Sequence, residues 1–71
     1  MDHRGVRELA ARQHGLATRA QIVALGGSDR LIARQVATGR WTRARRGVVV
    51  VGAAPATWEQ RVMAAVLAAG P

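Results

Sequence analysis

Along the first half of the chain, apolar positions recur at helical spacing. Val6, Leu9 and Ala10, with Gln13 one turn on, predict a first helix over Arg7–His14, after a frayed start at Met1–Gly5. Gly15 stops it, as a glycine just past a helix end commonly does, and leaves Leu16 with the core as its only destination. Thr18 and Gln21 have the spacing of a capping box and open a second helix. Ile22 and Leu25 form its inward face, with Val23 beside them. Gly26 and Gly27 end it with a turn that needs a positive backbone angle. Ser28 caps a third helix, Asp29–Thr38, and Asp29 places a negative charge in the first turn, where the helix dipole favours it. Ile32 and Val36 face inward, flanked by Leu31 and Gln35, while Arg30, Ala33, Arg34 and Ala37 fall on the far side. Gly39 ends this helix.

The pattern then becomes that of strands. Arg40–Arg45 and Gly47–Val51 predict a hairpin that turns at Arg45-Arg46-Gly47, with the glycine in a left-handed position. Trp41 covers the helices from the first strand, and Val48–Val51 is an unbroken β-branched run. A linker over Gly52–Ala56 contains Pro55. Thr57 caps a fourth helix, with Gln60 in the capping-box position and Glu59 at the positive end. Val62, Met63, Val66 and Leu67 give that helix an apolar stripe of the kind that packs on a core or a partner.

Helix, tight turn, helix and basic hairpin, in that order, predict a mainly α domain with a small β-hairpin. The expected architecture is a winged helix-turn-helix of three helices, a two-stranded wing and a C-terminal helix. Residues 1–71 form one domain, with a core over 6–52 and the following helix over 57–69. A chain this short, with Trp41 and Trp58 as its only aromatics, builds a small core.

Charge sharpens the picture. Eleven cations face four acids for a formal charge of +7, and every cation is an arginine. Such a small basic domain is first a candidate for nucleic acid, because the guanidinium fork pairs bidentately with phosphate or guanine. A genome biased toward arginine and alanine accounts for the absent lysine but not for the crowding of Arg40, Arg43, Arg45 and Arg46 in one hairpin. Arginines also guard exposed strand edges. Four like charges in seven residues nonetheless repel one another, which favours a polyanion opposite them.

The sequence therefore proposes one binding surface for double-stranded DNA. Ser28, Arg30, Ala33, Arg34 and Ala37 would lie toward the major groove, where small side chains permit close approach and arginines reach guanine or phosphate. Arg40, Arg43, Arg45 and Arg46 would hold the sugar-phosphate backbone from the wing. The competing view of the third helix is an ordinary solvated face. No catalytic residues are expected. Asp2, Glu8, Asp29 and Glu59 are scattered, Ser28 has no adjacent base, and Gly26-Gly27 lacks the lysine and preceding strand of a phosphate loop. His3 and His14 are eleven residues apart with no cysteine or paired carboxylate to accompany them, so neither metal nor cofactor is expected. No small-molecule ligand is evident. The absence of a signal-peptide pattern and of a long apolar run leads us to expect a cytoplasmic protein without a membrane partner.

Three stretches in order, GLATRAQ at 15–21, ATGRW at 37–41 and RRGVVVVG at 45–52 ahead of a capped helix, resemble the N-terminal winged-helix domain of AbiEi-type antitoxins. The resemblance runs from about Arg7 to Pro71. It implies binding to promoter DNA and negative autoregulation of a type IV toxin–antitoxin operon, with Arg30 and Arg34 reading the groove and Arg43, Arg45 and Arg46 holding phosphate. Two departures stand out: Val49 replaces a frequent aromatic, and Ala44 replaces a bulkier apolar residue, which thins the core under the wing. Such domains often precede a nuclease-like domain of the very-short-patch-repair kind, so a missing C-terminal domain is expected. Two other readings follow from the sequence. One is an accessory domain that positions DNA for such a nuclease. The other is a protein-interaction module using the last helix. A homodimer is left open, since repressors often read paired half-sites.

Overall fold

Two apolar clusters lie on opposite faces of a three-stranded antiparallel sheet in the computed structural model, which describes residues 3–70. The chain order is α1 (His3–Ala11), β1 (Leu16–Thr18), α2 (Arg19–Ala24), α3 (Asp29–Ala37), β2 (Trp41–Arg45), β3 (Val48–Val51) and α4 (Trp58–Ala69). The sheet order is β1-β3-β2, so the wing hairpin gains a third strand rather than standing as two. Leu16, Ala17 and Thr18 pair with Val50, Val49 and Val48.

The run of four valines follows from that topology. β3 is the central strand, and successive side chains point to opposite faces. Val49 packs with Val6, Ala17, Ile22, Ile32 and Trp41, with Val51 at the edge of that cluster. Val48 packs with Leu16 and Ala64, joined by Val50, Met63 and Leu67. A strand covered on both faces has no place for polar alternation. Leu16 is fully buried, as its sequence position implied, but as a strand residue beneath α4.

Local chemistry fixes the connections. The Thr18 hydroxyl accepts from the Gln21 N–H at 3.0 Å, and the Gln21 side chain accepts from the Thr18 N–H at 3.0 Å, which completes the expected capping box. Gln13 and Gln21 exchange amide hydrogen bonds at 2.9 and 3.1 Å, and Gln13 also donates to the Leu16 carbonyl, so the turn after α1 is tied to α2. Gly15 has φ +87°, and a Cβ there would collide with that of Ala54. Its carbonyl accepts from the Val51 N–H at 2.7 Å, which joins this turn to the end of β3. The close approach of two backbones is what demands a glycine here.

Several boundaries and faces differ from the sequence expectation. α1 begins by His3 and ends at Ala11, four residues ahead of the expected span at its start and three at its end; Met1 and Asp2 lie outside the described residues. The chain from Arg12 to Gly15 closes as turns. β2 starts at Trp41, so Arg40 precedes it, and Gly47 belongs to the turn rather than the strand. Leu25 and Val23 are exposed: Leu25 is the C-cap of a six-residue α2, and Val23 points about 100° round the helix from the buried Ile22.

α4 shows the largest change. Its Thr57 cap holds, accepting from the Gln60 N–H at 3.1 Å. The Gln60 side chain does not return to the cap. It is buried and donates instead to the His14 carbonyl at 2.8 Å. The expected stripe splits: Met63 and Leu67 pack inward with Ala64, while Val62 and Val66 are exposed, at 47% and 61%. Facing the core along Gln60, Ala64 and Leu67 turns the other half of the stripe outward.

Candidate nucleic-acid interface

The third helix forms as the sequence requires. The Ser28 hydroxyl accepts from the Leu31 N–H at 3.1 Å, Asp29 opens the first turn, and the helix ends with Thr38 as its cap. Ile32 and Gln35 are buried, with Leu31 and Val36 partly so. Arg30, Ala33, Arg34 and Ala37 are all exposed on the opposite side. Arg30 and Ala37 occupy the middle of that face, with Ala33 toward the wing and Arg34 away from it. Ser28 is exposed as well, but its oxygen is already used as the cap acceptor.

The wing does not gather its arginines as one cluster. Trp41, Thr42 and Arg43 pair in register with Val51, Val50 and Val49, but Arg45 pairs with Val48, so Ala44 is an extra residue. An extra residue in one strand disrupts the alternation of faces. Arg43 stays on the side of Trp41 and lines a cleft with Ile32 and Ala33 of α3. Arg45 lies with Ala44 on the other side, bordering Gln60, Arg61 and Ala64 of α4. Arg46 and Gly47 form the tip, and Gly47 adopts φ +74°, the left-handed turn position expected of it. Arg40 sits at the opposite end of the hairpin. Its N–H donates to the Gln35 carbonyl at 3.0 Å, its carbonyl accepts from Gly52, and it borders Arg7 of α1. Strand geometry, at about 3.3 Å per residue, puts it roughly 15 Å from the tip.

Arg19, which sequence reasoning did not single out, joins the pieces. It is the first residue of α2, and its backbone N–H donates to the Gly47 carbonyl in the wing turn at 2.8 Å. Its guanidinium grips Asp29 at the start of α3 side-on, Nε to Oδ1 at 2.6 Å and a terminal nitrogen to Oδ2 at 2.9 Å. One residue thus touches the first turns of α2 and α3 and the turn between β2 and β3. These hydrogen bonds hold the Asp29 carboxyl below its ordinary range, assisted by the charges of Arg19 and Arg43. Both side chains remain well exposed, at 59% and 67%. The available signal was the capped start at Thr18, which fixed Arg19 as a first-turn residue; the ten-residue separation from Asp29 gave no sign of contact.

Arg19, Asp29, Ile32, Ala33, Arg43, Gly47 and Val49 surround a cleft of about 360 Å³ between α3 and the wing. The surface on either side of it is an exposed helix face bearing Arg30 and Arg34 and a hairpin bearing Arg43 and Arg46. Chemically, it offers guanidinium donors for an anion and small side chains for close approach. Among the described residues, no three metal-ligating side chains come together, and no helix is long and apolar enough to cross a membrane.

A family model described as transcriptional regulator, AbiEi antitoxin, matches residues 5–52. The match covers the segment from α1 to the end of the wing and stops short of α4, whereas the sequence resemblance took in α4 as well. Neither the curated proteins nor the solved structures yield a match. Residues 5–52 are well over half of the 71, so the chain belongs to the AbiEi antitoxin family of transcriptional regulators.

Proposed function

We propose that this chain is a double-stranded DNA-binding winged-helix module that acts as the autorepressor of a type IV toxin–antitoxin operon. The supporting observation is the joint presentation of two cationic elements. Arg30 and Arg34 project from an exposed helix face interrupted only by alanines, and Arg43 and Arg46 lie on the hairpin beside it, with Arg19 bonded to both elements. In this mechanism the arginines capture the polyanion first, by releasing its condensed counterions, and α3 then contacts base edges in the major groove. The wing holds phosphate and contributes affinity without sequence preference. Arg40, remote from the tip, adds at most a peripheral phosphate contact. The family to which the chain belongs is regulatory rather than an enzyme class, and no catalysis is assigned to these residues.

The test is binding to the promoter fragment upstream of the gene and to scrambled DNA across a salt series. We expect a promoter-selective complex whose log affinity falls linearly with log salt. Arg46→Ala should make that slope shallower by about 0.9. Arg30→Ala with Arg34→Ala should bring promoter affinity down to that for scrambled DNA. Unchanged promoter affinity in that double variant would sink the reading.

One observation favours a second reading, a protein-interaction module. Trp58, Val62 and Val66 are all exposed and recur every four residues along α4. Salt separates the two, since an apolar interface hardly responds to it.

A further inference from the structure

The DNA reading leaves one group on the interface unexplained. Asp29 is an acid on a surface otherwise built from arginines, and phosphates would repel it. As a first-turn residue it suits the helix dipole, but that role needs no bidentate arginine. Here Arg19 comes from another helix to grip both carboxylate oxygens, at 2.6 and 2.9 Å. The grip does two things. It neutralises the acid as seen from a distance, so the pair can approach a polyanion. It also fixes the carboxylate plane while leaving a further lone pair on each oxygen for another donor.

Position matters as much as charge. Asp29, Ala33 and Ala37 follow one another at four-residue spacing along α3, so the acid stands at the N-terminal end of a ridge of small side chains. Asp29 and Ala33 line the same cleft beside the wing. The N-terminal residues of a recognition helix are those that meet base edges. Of the amino groups that the major groove presents, that of cytosine is the one carboxylates pair with, whereas adenine adds an acceptor that suits a carboxamide.

We propose that Asp29 is a specificity-determining residue of this face: its carboxylate, held in place by Arg19, accepts a hydrogen bond from the exocyclic amino group of a cytosine in the major groove. The proposal rests on the DNA-binding reading above. Arg19 acts through Asp29 and is a positioning residue. Thymine at the same place presents a carbonyl oxygen to the carboxylate and is rejected by acceptor–acceptor repulsion.

The experiment is selection of bound sites from a pool of randomised duplexes by the full chain and by its Asp29→Asn and Arg19→Ala variants, each first checked by circular dichroism for an unchanged helix content. We expect the parent chain to enrich a site with one position restricted to cytosine, where thymine lowers affinity roughly 5- to 150-fold. Asp29→Asn should move that one position to adenine and leave the rest of the site as it was. Arg19→Ala should relax the preference at that position alone. If Asp29→Asn and Arg19→Ala both enrich the parent's site with the same restriction at every position, Asp29 serves the fold only and the proposal is overturned. A parent that binds duplexes without any restricted position overturns it too, while DNA binding stands. A parent that binds no duplex removes the DNA reading itself.

Discussion

Helices α3 and α4 start alike and end up with opposite outer faces. Each is capped by a hydroxyl that accepts from the N–H three residues on, Ser28 to Leu31 and Thr57 to Gln60. Each carries an acid in its first turn, Asp29 or Glu59, and each buries a glutamine, Gln35 or Gln60. Yet α3 covers Ile32 and shows solvent its arginines, whereas α4 covers Ala64 and shows solvent Trp58, Val62 and Val66. Capping sets where a helix begins and says nothing of which side it buries. That is decided by what lies beneath. α3 sits over the cluster of Val6, Ile22, Trp41 and Val49 and needs a large apolar residue there. α4 lies over Leu16 and Val48 and meets them with an alanine, Ala64, flanked by Met63 and Leu67.

The sharpest way to break this contrast is to remove the side chain on which α3 rests. Ile32→Ala should cost about 2–5 kcal/mol, read as a fall in denaturation midpoint at unchanged slope. A chain of this size commands roughly 4–10 kcal/mol in all, so the variant should lose a large fraction of its stability and unfold at a much lower denaturant concentration. A loss under 1 kcal/mol would mean that α3 is held by its polar ends, including the Arg19 pair, and not by its apolar face.

The polar anchor of α4 comes next in size. Gln60 reaches the carbonyl of His14, 46 residues away in sequence, and is the specific bond between the last helix and the turn after α1. Gln60→Met keeps the volume and deletes the donor, leaving a carbonyl without its partner. The expected cost is about 1–3 kcal/mol, or a drop in melting temperature of roughly 4–8 °C for each of those kilocalories. If Gln60→Met melts with the parent chain, α4 is held by Met63, Ala64 and Leu67 alone and the anchor is incidental.

These residues also show where reading the sequence succeeds and where it stops. The caps at Thr18, Ser28 and Thr57 are local chemistry, complete within four residues, and all three stand. The outer face of α3 is legible because Ile32 leaves only one way to turn the helix. β1 is not legible. Leu16-Ala17-Thr18 is too short to show a period, and only its pairing with Val48–Val50 makes it a strand. The clue lay in β3, since four valines without a polar alternate require cover on both faces. Gln60 misleads for a related reason: the capping-box spacing is satisfied locally, but a distant carbonyl offers a buried partner. Wing geometry depends on the extra residue at Ala44, which separates Arg43 from Arg45 and has no signature in the run of letters. The contact between Arg19 and Asp29 is found only by folding the chain.

The smallest expected effect tests the outward side of α4. Val62 and Val66 bury little, so truncating either one gives up little transfer free energy. Val62→Ala and Val66→Ala should each change stability by no more than about 0.5 kcal/mol, several-fold less than Ile32→Ala and far below what the loss of two carbons instead of three would explain. Alanine also has the better helix propensity, which offsets part of what is lost. The comparison becomes decisive when the melts are repeated over a hundredfold range of protein concentration. A lone domain gives the same midpoint throughout, and the contrast between the two helices stands. A midpoint that climbs with concentration in the parent chain and stays level in Val66→Ala would put a second copy on that face, because binding that occurs only in the folded state raises apparent stability by mass action. The apolar residues of α4 would then be as buried as those of α3, one beneath a partner and the other beneath its own domain.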